Sequence, residues 1–221
     1  MADPAASASA SAKSAWAAAQ TKFSETPAKG PCIPCAAKKK KNPVGAKWKK
    51  DAAGVFPGHQ KYQDCGLEAS RQIIEQAKGK LNVSEHQFMD DAITMCNVDS
   101  DGGANGLDRQ CVMQQYGVSS KLQDANVANV DAALRDGKGV IVNADSKTLW
   151  HMQGIETDTG DPHAVLLSEG IYDDTGKMTG VWVNDTGIGQ RYPLSTDELA
   201  KGLKSGSGLM NVTDKPIWPS D

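Results

Sequence analysis

The sequence predicts an α+β domain, with N-terminal helices packed on a C-terminal antiparallel sheet. Between residues 65 and 135 the apolar side chains recur at helical spacing. Beyond Gly137 and Gly139 the apolar residues gather instead into short β-branched runs. One pair of those runs is joined by Asp173-Asp174-Thr175-Gly176, a strong turn sequence. Runs of helices followed by runs of strands argue for α+β rather than for alternating βαβ units.

The elements follow in order. Leu67, Ala69, Ile73, Ile74 and Ala77 line one face of a helix over 65–77, and Gly79 is its stop. A second helix is predicted over 84–96, with Ser84 as cap and Gln87 at the capping-box position. A third runs from Leu107 to Tyr116 and ends at Gly117, and Val127 to Arg135 form a fourth. Val140 to Ala144 are then a short buried strand. Ala164 to Ile171 and Gly180 to Asn184 make a hairpin or meander around the Asp173 turn.

Residues 1–56 have a different character. An Ala/Ser-rich start and a short helix around Trp16 to Phe23 lead to Pro27, the Cys32-Ile33-Pro34-Cys35 segment and the basic run Lys38 to Lys41. Such composition buries little apolar surface, so we read 1–56 as a linker or docking segment and 57–221 as the domain. A chain of 221 residues leaves room for one such domain of roughly 150 to 170 residues.

Composition excludes several classes of function. A net charge of -3 gives no basic surface for nucleic acid. No apolar stretch reaches the roughly 18 to 20 residues that span a bilayer, so no membrane partner is expected. The first residues also lack a basic segment followed by an apolar one, so no secretion signal is expected. Five cysteines are an odd and modest number for this length, which argues for a reducing compartment, against a disulfide scaffold, and for at least one free thiol.

Cys65 is the candidate nucleophile. Cysteine attacks only as thiolate, and a helix N-terminus and a nearby imidazolium both favour that charge. An isolated cysteine is more often a small core residue; what sets Cys65 apart is its place at the start of an apolar helix, in Asp64-Cys65-Gly66. His163, after Asp161-Pro162 at the start of a strand, is the candidate base. Asn184 and Asp185 end the next strand, and either can orient the imidazole, because one residue of register turns a side chain to the other face.

Other motifs carry less. Cys32 and Cys35 have the spacing of half a zinc site, but no second pair follows, and neither metal nor cofactor is expected. Lys38 to Lys41, with Lys47, Lys49 and Lys50, read as a solvated linker. Asp99-Ser100-Asp101-Gly102-Gly103 begins like a calcium loop, yet Gly103, Ala104 and Gln110 stand where it needs a ligand, a turn glycine and a carboxylate. His59, His86 and His151 have no ligand spacing, and Gly187-Ile188-Gly189 lacks the context of a phosphate loop.

Gln63-Asp64-Cys65-Gly66 before a helix, then His163-Ala164-Val165 and Val183-Asn184-Asp185 on successive strands, resembles the papain-like peptidases of the bacteriocin-processing type. The resemblance covers about residues 57 to 200 and implies a papain-like fold. It implies Cys65 as nucleophile, His163 as base and Asp185, or Asn184, as orienting residue. A glutamine upstream of the cysteine would bind the oxyanion. Gln60 is preferred and Gln63 is the alternative, both nearer the cysteine than is usual in that family.

The resemblance further implies a protein or peptide substrate. Together with the low-complexity N-terminus it suggests a toxin or effector made in a bacterial cytoplasm, exported by a specialised secretion system into a competitor, and matched by an immunity protein. Two other readings use the same residues: acyl transfer or side-chain amide hydrolysis, as in transglutaminases and glutamine deamidases, and a catalytically idle peptide-binding domain.

Overall fold

Helices come first and strands later in the computed structural model, which describes residues 60–79, 81–96, 98–158 and 160–217. The linker assignment for 1–56 and its boundary, the helix near Trp16, Cys32, Cys35, the lysine run and His59 lie outside the described residues. The order is α1 (Cys65–Lys78), α2 (Glu85–Met95), α3 (Gly106–Gln115), β1 (Ser120–Asp124), α4 (Val127–Arg135), β2 (Val140–Asp145), α5 (Ser146–His151), β3 (Pro162–Tyr172), β4 (Met178–Asp185), β5 (Gln190–Ser195), α6 (Thr196–Ser205) and β6 (Leu209–Thr213).

Local chemistry explains the boundaries. Gly79, at φ 98°, takes the left-handed conformation that ends α1 without a Cβ penalty. Ser84 caps α2 by accepting the Gln87 N–H at 3.1 Å, but the Gln87 amide turns to Asp91 at 2.9 Å, so the expected box stays half-made. A complete box sits instead on α3, where Asn105 accepts the Asp108 N–H and the Asp108 carboxylate accepts the Asn105 N–H. A second, Ser195 with Glu198, opens α6.

The sheet has six strands in the order β1-β6-β2-β3-β4-β5, and every neighbouring pair is antiparallel. Its central strands are buried on both faces. Ile141, Ala164 and Leu166 pack with Leu67, Ile73 and Ile74 of α1, Phe88 of α2 and Val112 and Met113 of α3. Val140, Val142, Val165, Leu167, Val181 and Val183 face the other way, against Val130 and Leu134 of α4, Leu149 and Trp150 of α5, and Leu199 and Leu203 of α6. The predicted helical layer is therefore present, and a second layer of later helices covers the opposite face.

A disulfide joins Cys96, just after α2, to Cys111 in α3, across a sequence separation of 15. This pairing corrects the picture of thiols held reduced, though Cys65 remains free as expected. No helix among the described residues is long and apolar enough to cross a membrane.

Candidate active site

Cys65 is the first residue of α1, where the backbone N–H groups have no partner inside the helix. The sheet meets it at the start of β3. Its Sγ accepts the Ala164 N–H at 3.4 Å and shares a hydrogen bond with the His163 ring. His163 Nε2 lies 2.7 Å from Asp185 Oδ1, so Nδ1 is the nitrogen left for the sulfur. Trp150 stacks edge-on against the imidazole, with ring centroids 5.5 Å apart, and closes the site on that side.

Strand register separates Asp185 from Asn184. Asn184 is paired with Leu166 and shares its face, where its amide meets Gln72 of α1 at 3.1 Å and Ser168 at 3.1 Å. Asp185 points to the opposite face, the one His163 shares. There it accepts from Trp150 Nε1 at 3.0 Å, Tyr192 Oη at 2.9 Å and the Gly187 N–H at 2.9 Å, besides its bond to the imidazole. The structure thus brings Cys65, His163 and Asp185 together and turns Asn184 away.

The two glutamines differ in setting. Gln60 is buried; its Oε1 accepts Thr186 Oγ1 at 2.7 Å, its Nε2 donates to Tyr62 O at 2.8 Å, and its backbone N–H bonds to Thr186 O at 3.0 Å. It is stitched to the residue that follows Asp185. Gln63 lines the cleft beside Cys65.

Electrostatics favour an ion pair. Burial alone would raise the Cys65 thiol, but the His163 imidazolium, the Ala164 N–H and Arg109 outweigh it and hold the thiol below its ordinary value. Burial likewise opposes charging of His163, yet Asp185 and the Cys65 sulfur raise it from 6.5 to about 10. Asp185 is held below the usual carboxylate range despite its burial, chiefly by the imidazolium and by its Tyr192 and Trp150 donors. Asp64 behaves oppositely. Burial, reinforced by Glu68 and Glu85, raises it to about 8, so at neutral pH it is protonated and sets no negative charge against the thiolate.

Gly66 has a steric role. A Cβ there would lie 3.0 Å from Ala104 O, 3.2 Å from Arg109 Cδ and 3.3 Å from Arg109 Nη1. The Asp-Cys-Gly sequence therefore lets α3 approach Cys65 closely. Arg109, which the sequence reading passed over, is 1 % exposed. A detectable signal was present: it sits three and four residues before the buried Val112 and Met113, a charge on an apolar stripe.

In front of Cys65 opens a cleft of about 930 Å³, bounded by Gln63, the 103–109 segment, the ends of β2 and β3, and the turn between α6 and β6. Leu107 and Leu209 stand exposed on its rim. The Asp99 loop binds itself, with Gly102 N–H donating to Asp99 O at 2.9 Å, and no cluster of three metal-ligating side chains occurs among the described residues.

A cysteine at a helix start thus faces a histidine and a carboxylate on a sheet, within an α+β fold whose sheet is antiparallel. No protein-family model matches the sequence, and no curated protein matches it. Among solved structures the chain is similar to a double-glycine-motif protease from an AMS/PCAT transporter, in complex with the leader peptide, at 16 % identity over 72 % of this chain and 96 % of that one, with a TM-score of 0.43. It is similar to a protein of Bacillus anthracis described as a C39-like peptidase, at 11 % identity over 81 % and 100 %, TM-score 0.46. It is also similar to the peptidase domain of Streptococcus ComA, a bi-functional ABC transporter of a quorum-sensing pathway, at 11 % identity over 68 % and 91 %, TM-score 0.47.

Proposed function

We propose that the chain is a cysteine peptidase acting on a protein or peptide. The observation that carries this reading is the 2.7 Å bond from His163 to Asp185, with the imidazole hydrogen-bonded on to Cys65 at the cleft floor. Cys65 Sγ attacks the scissile carbonyl as a thiolate, and the C–N bond breaks as the His163 imidazolium passes its proton to the leaving amine. Water, deprotonated by the now neutral His163, then cleaves the thioester and restores the ion pair. Asp185 holds the ring by Nε2 and stabilises its charge.

In this scheme the Cys65 N–H at the free end of α1 is one oxyanion donor, and Gln60 is our preferred glutamine for the second, although its Nε2 donates to Tyr62 O in this structure. Thr186, gripping Oε1, fixes Nε2 as the donor end of Gln60. Gln63, on the cleft wall, is the alternative donor.

Mass spectrometry of products from a peptide mixture tests the reading. Wild type is expected to yield two fragments per cut and Cys65→Ala none. Undiminished cleavage by Cys65→Ala would remove Cys65 from the mechanism. A crosslink, or a small mass change on an intact chain, would replace peptide hydrolysis by acyl transfer or deamidation.

We assign the peptidase, on the resemblance in its motifs and its Ala/Ser-rich N-terminus, to the toxins that bacteria make in their cytoplasm and export into competitors, with an immunity protein guarding the producer. Induced expression of wild type in a bacterial cytoplasm is expected to arrest growth and Cys65→Ala to permit it. Normal growth with wild-type protein accumulating would overturn the toxin role.

A further inference from the structure

We propose that Arg109 is the second cation of the site: its guanidinium, packed against Gly66 beside Cys65, supplies the positive charge that balances the array of Cys65, His163 and Asp185. The inference rests on the thiolate of the proposed function and assigns it a partner.

Arg109 is 1 % exposed, and no carboxylate among the described residues forms a direct ion pair with its guanidinium, although Asp108 nearby favours its charge. Nε donates to Asn211 Oδ1 at 2.9 Å, and Nη1 donates to Asn143 Oδ1 at 3.0 Å and Ala104 O at 3.2 Å. All three acceptors are neutral. Nη2 is buried and has no acceptor. Asp108, the adjacent carboxylate, is turned to the Asn105 N–H at 2.8 Å and caps α3. A buried guanidinium with only neutral partners is costly, and natural cores avoid it unless a counter-charge is near.

Cys65 is placed to supply that charge, and its thiolate favours the charged guanidinium more than Asp108 does. Arg109 Cδ and Nη1 stand 3.2 and 3.3 Å from where a Gly66 Cβ would be, one residue along α1 from the nucleophile. The charge count agrees. Thiolate, imidazolium and Asp185 carboxylate together leave one uncompensated negative charge beneath the surface, and Arg109 cancels it. Asp64 does not compete for Arg109, since it is protonated near neutrality. Arg109 also favours the thiolate, and the thiolate favours the charged guanidinium, as reciprocal coupling requires. In this assignment Arg109 acts through Cys65 and is a positioning residue.

Asn143 and Asn211 hold the guanidinium in place. Asn143 is tied on to Ser207 Oγ at 2.8 Å and Asn211 to Gly106 O at 2.8 Å, so one cation joins α3, β2, β6 and the turn before β6.

The test is the pH midpoint of Cys65 alkylation in the full chain, with the labelled peptide located by mass spectrometry, for wild type, Arg109→Gln, Arg109→Lys and His163→Ala. Wild type is expected to be thiolate well below pH ~8.5, the ordinary thiol value. Arg109→Gln is expected to raise the midpoint by about 1 unit, a magnitude reasonable for charges within ~10 Å at an effective dielectric of about 20, and Arg109→Lys to keep it low. A purely structural role would lower the melting temperature of both variants and leave the midpoint where it was, which overturns the proposal while the His163 dependence still supports the peptidase. A wild-type midpoint near ~8.5, unmoved in His163→Ala, overturns the peptidase reading itself. Should Arg109→Gln fail to fold, Asn211→Asp sets a carboxylate against Nε and is expected to raise the midpoint as well; no rise there also overturns the assignment.

Discussion

Asp185 illustrates how much a single residue is asked to do. Its two oxygens accept from His163, Gly187, Trp150 and Tyr192, so the carboxylate is fixed before any substrate arrives. Replacing it with asparagine sets an amide N–H₂ among donors and removes the charge that raises His163. Burial then acts on the imidazole unopposed by a carboxylate. The sign follows directly. His163, raised to about 10, favours the folded ion pair fully below its ordinary 6.5 and loses that contribution as pH rises through about 10. Cys65, held below its ordinary value, contributes above it and loses that contribution as pH falls through its folded value. We therefore expect a bell-shaped rate profile whose alkaline limb lies at about 10 in wild type. In Asp185→Asn that limb should move to lower pH and kcat/KM should fall by about 10²- to 10⁴-fold. Asn184→Ala, on the other face, should leave the limb in place; equal shifts in the two variants would contradict the assigned roles. The sequence showed both residues at the strand end. It did not show which faced His163, because β4 pairs with β3 through irregularities between Leu167 and Glu169 and between Ile171 and Tyr172, and alternation counted from a distance loses its phase there.

At the scale of elements, strong apolar periodicity was legible and short polar pieces were not. The stripe from Leu67 through Ile74 and the β-branched run at Val140 declared α1 and β2 outright. β1 reads Ser-Lys-Leu-Gln-Asp and β5 contains Pro193, compositions that suggest loop, and each is stabilised as a strand by its partner. The Ser195 and Glu198 box announced α6 and was overlooked. The pairing of Cys96 with Cys111 follows from how the end of α2 meets α3, which spacing alone does not give. That bridge constrains the segment holding the Asp99 loop and the start of α3, one bank of the cleft. For a loop of about 15 residues its removal should cost about 3 kcal/mol. Denaturation of the Cys96→Ala, Cys111→Ala double variant should show that loss, with the midpoint of thermal unfolding down by several degrees. Unchanged stability would mean that the α2 and α3 packing holds the bank unaided.

For the whole molecule, the layered design puts the chemistry at a seam. Cys65 belongs to the layer of α1 to α3, while His163 and Asp185 belong to the sheet and face α5. The sequence order of helices then strands revealed this division, and the Asp-Cys-Gly and His-Ala-Val motifs marked its two sides. The charge between the layers left one mark in the sequence, an arginine three and four residues before Val112 and Met113, but its partner Asn211 emerges only once α3 is seen against β6. The disulfide adds a practical consequence, because among the described residues one cysteine is free and two are joined. Thiol reagents added to keep Cys65 reduced also attack the bond that braces one bank of the cleft. On the proposed function, a weak reductant, or one too bulky to reach Cys96, suits the protein better than an excess of a small dithiol, because loss of activity under the latter would follow from the lost brace with Cys65 intact.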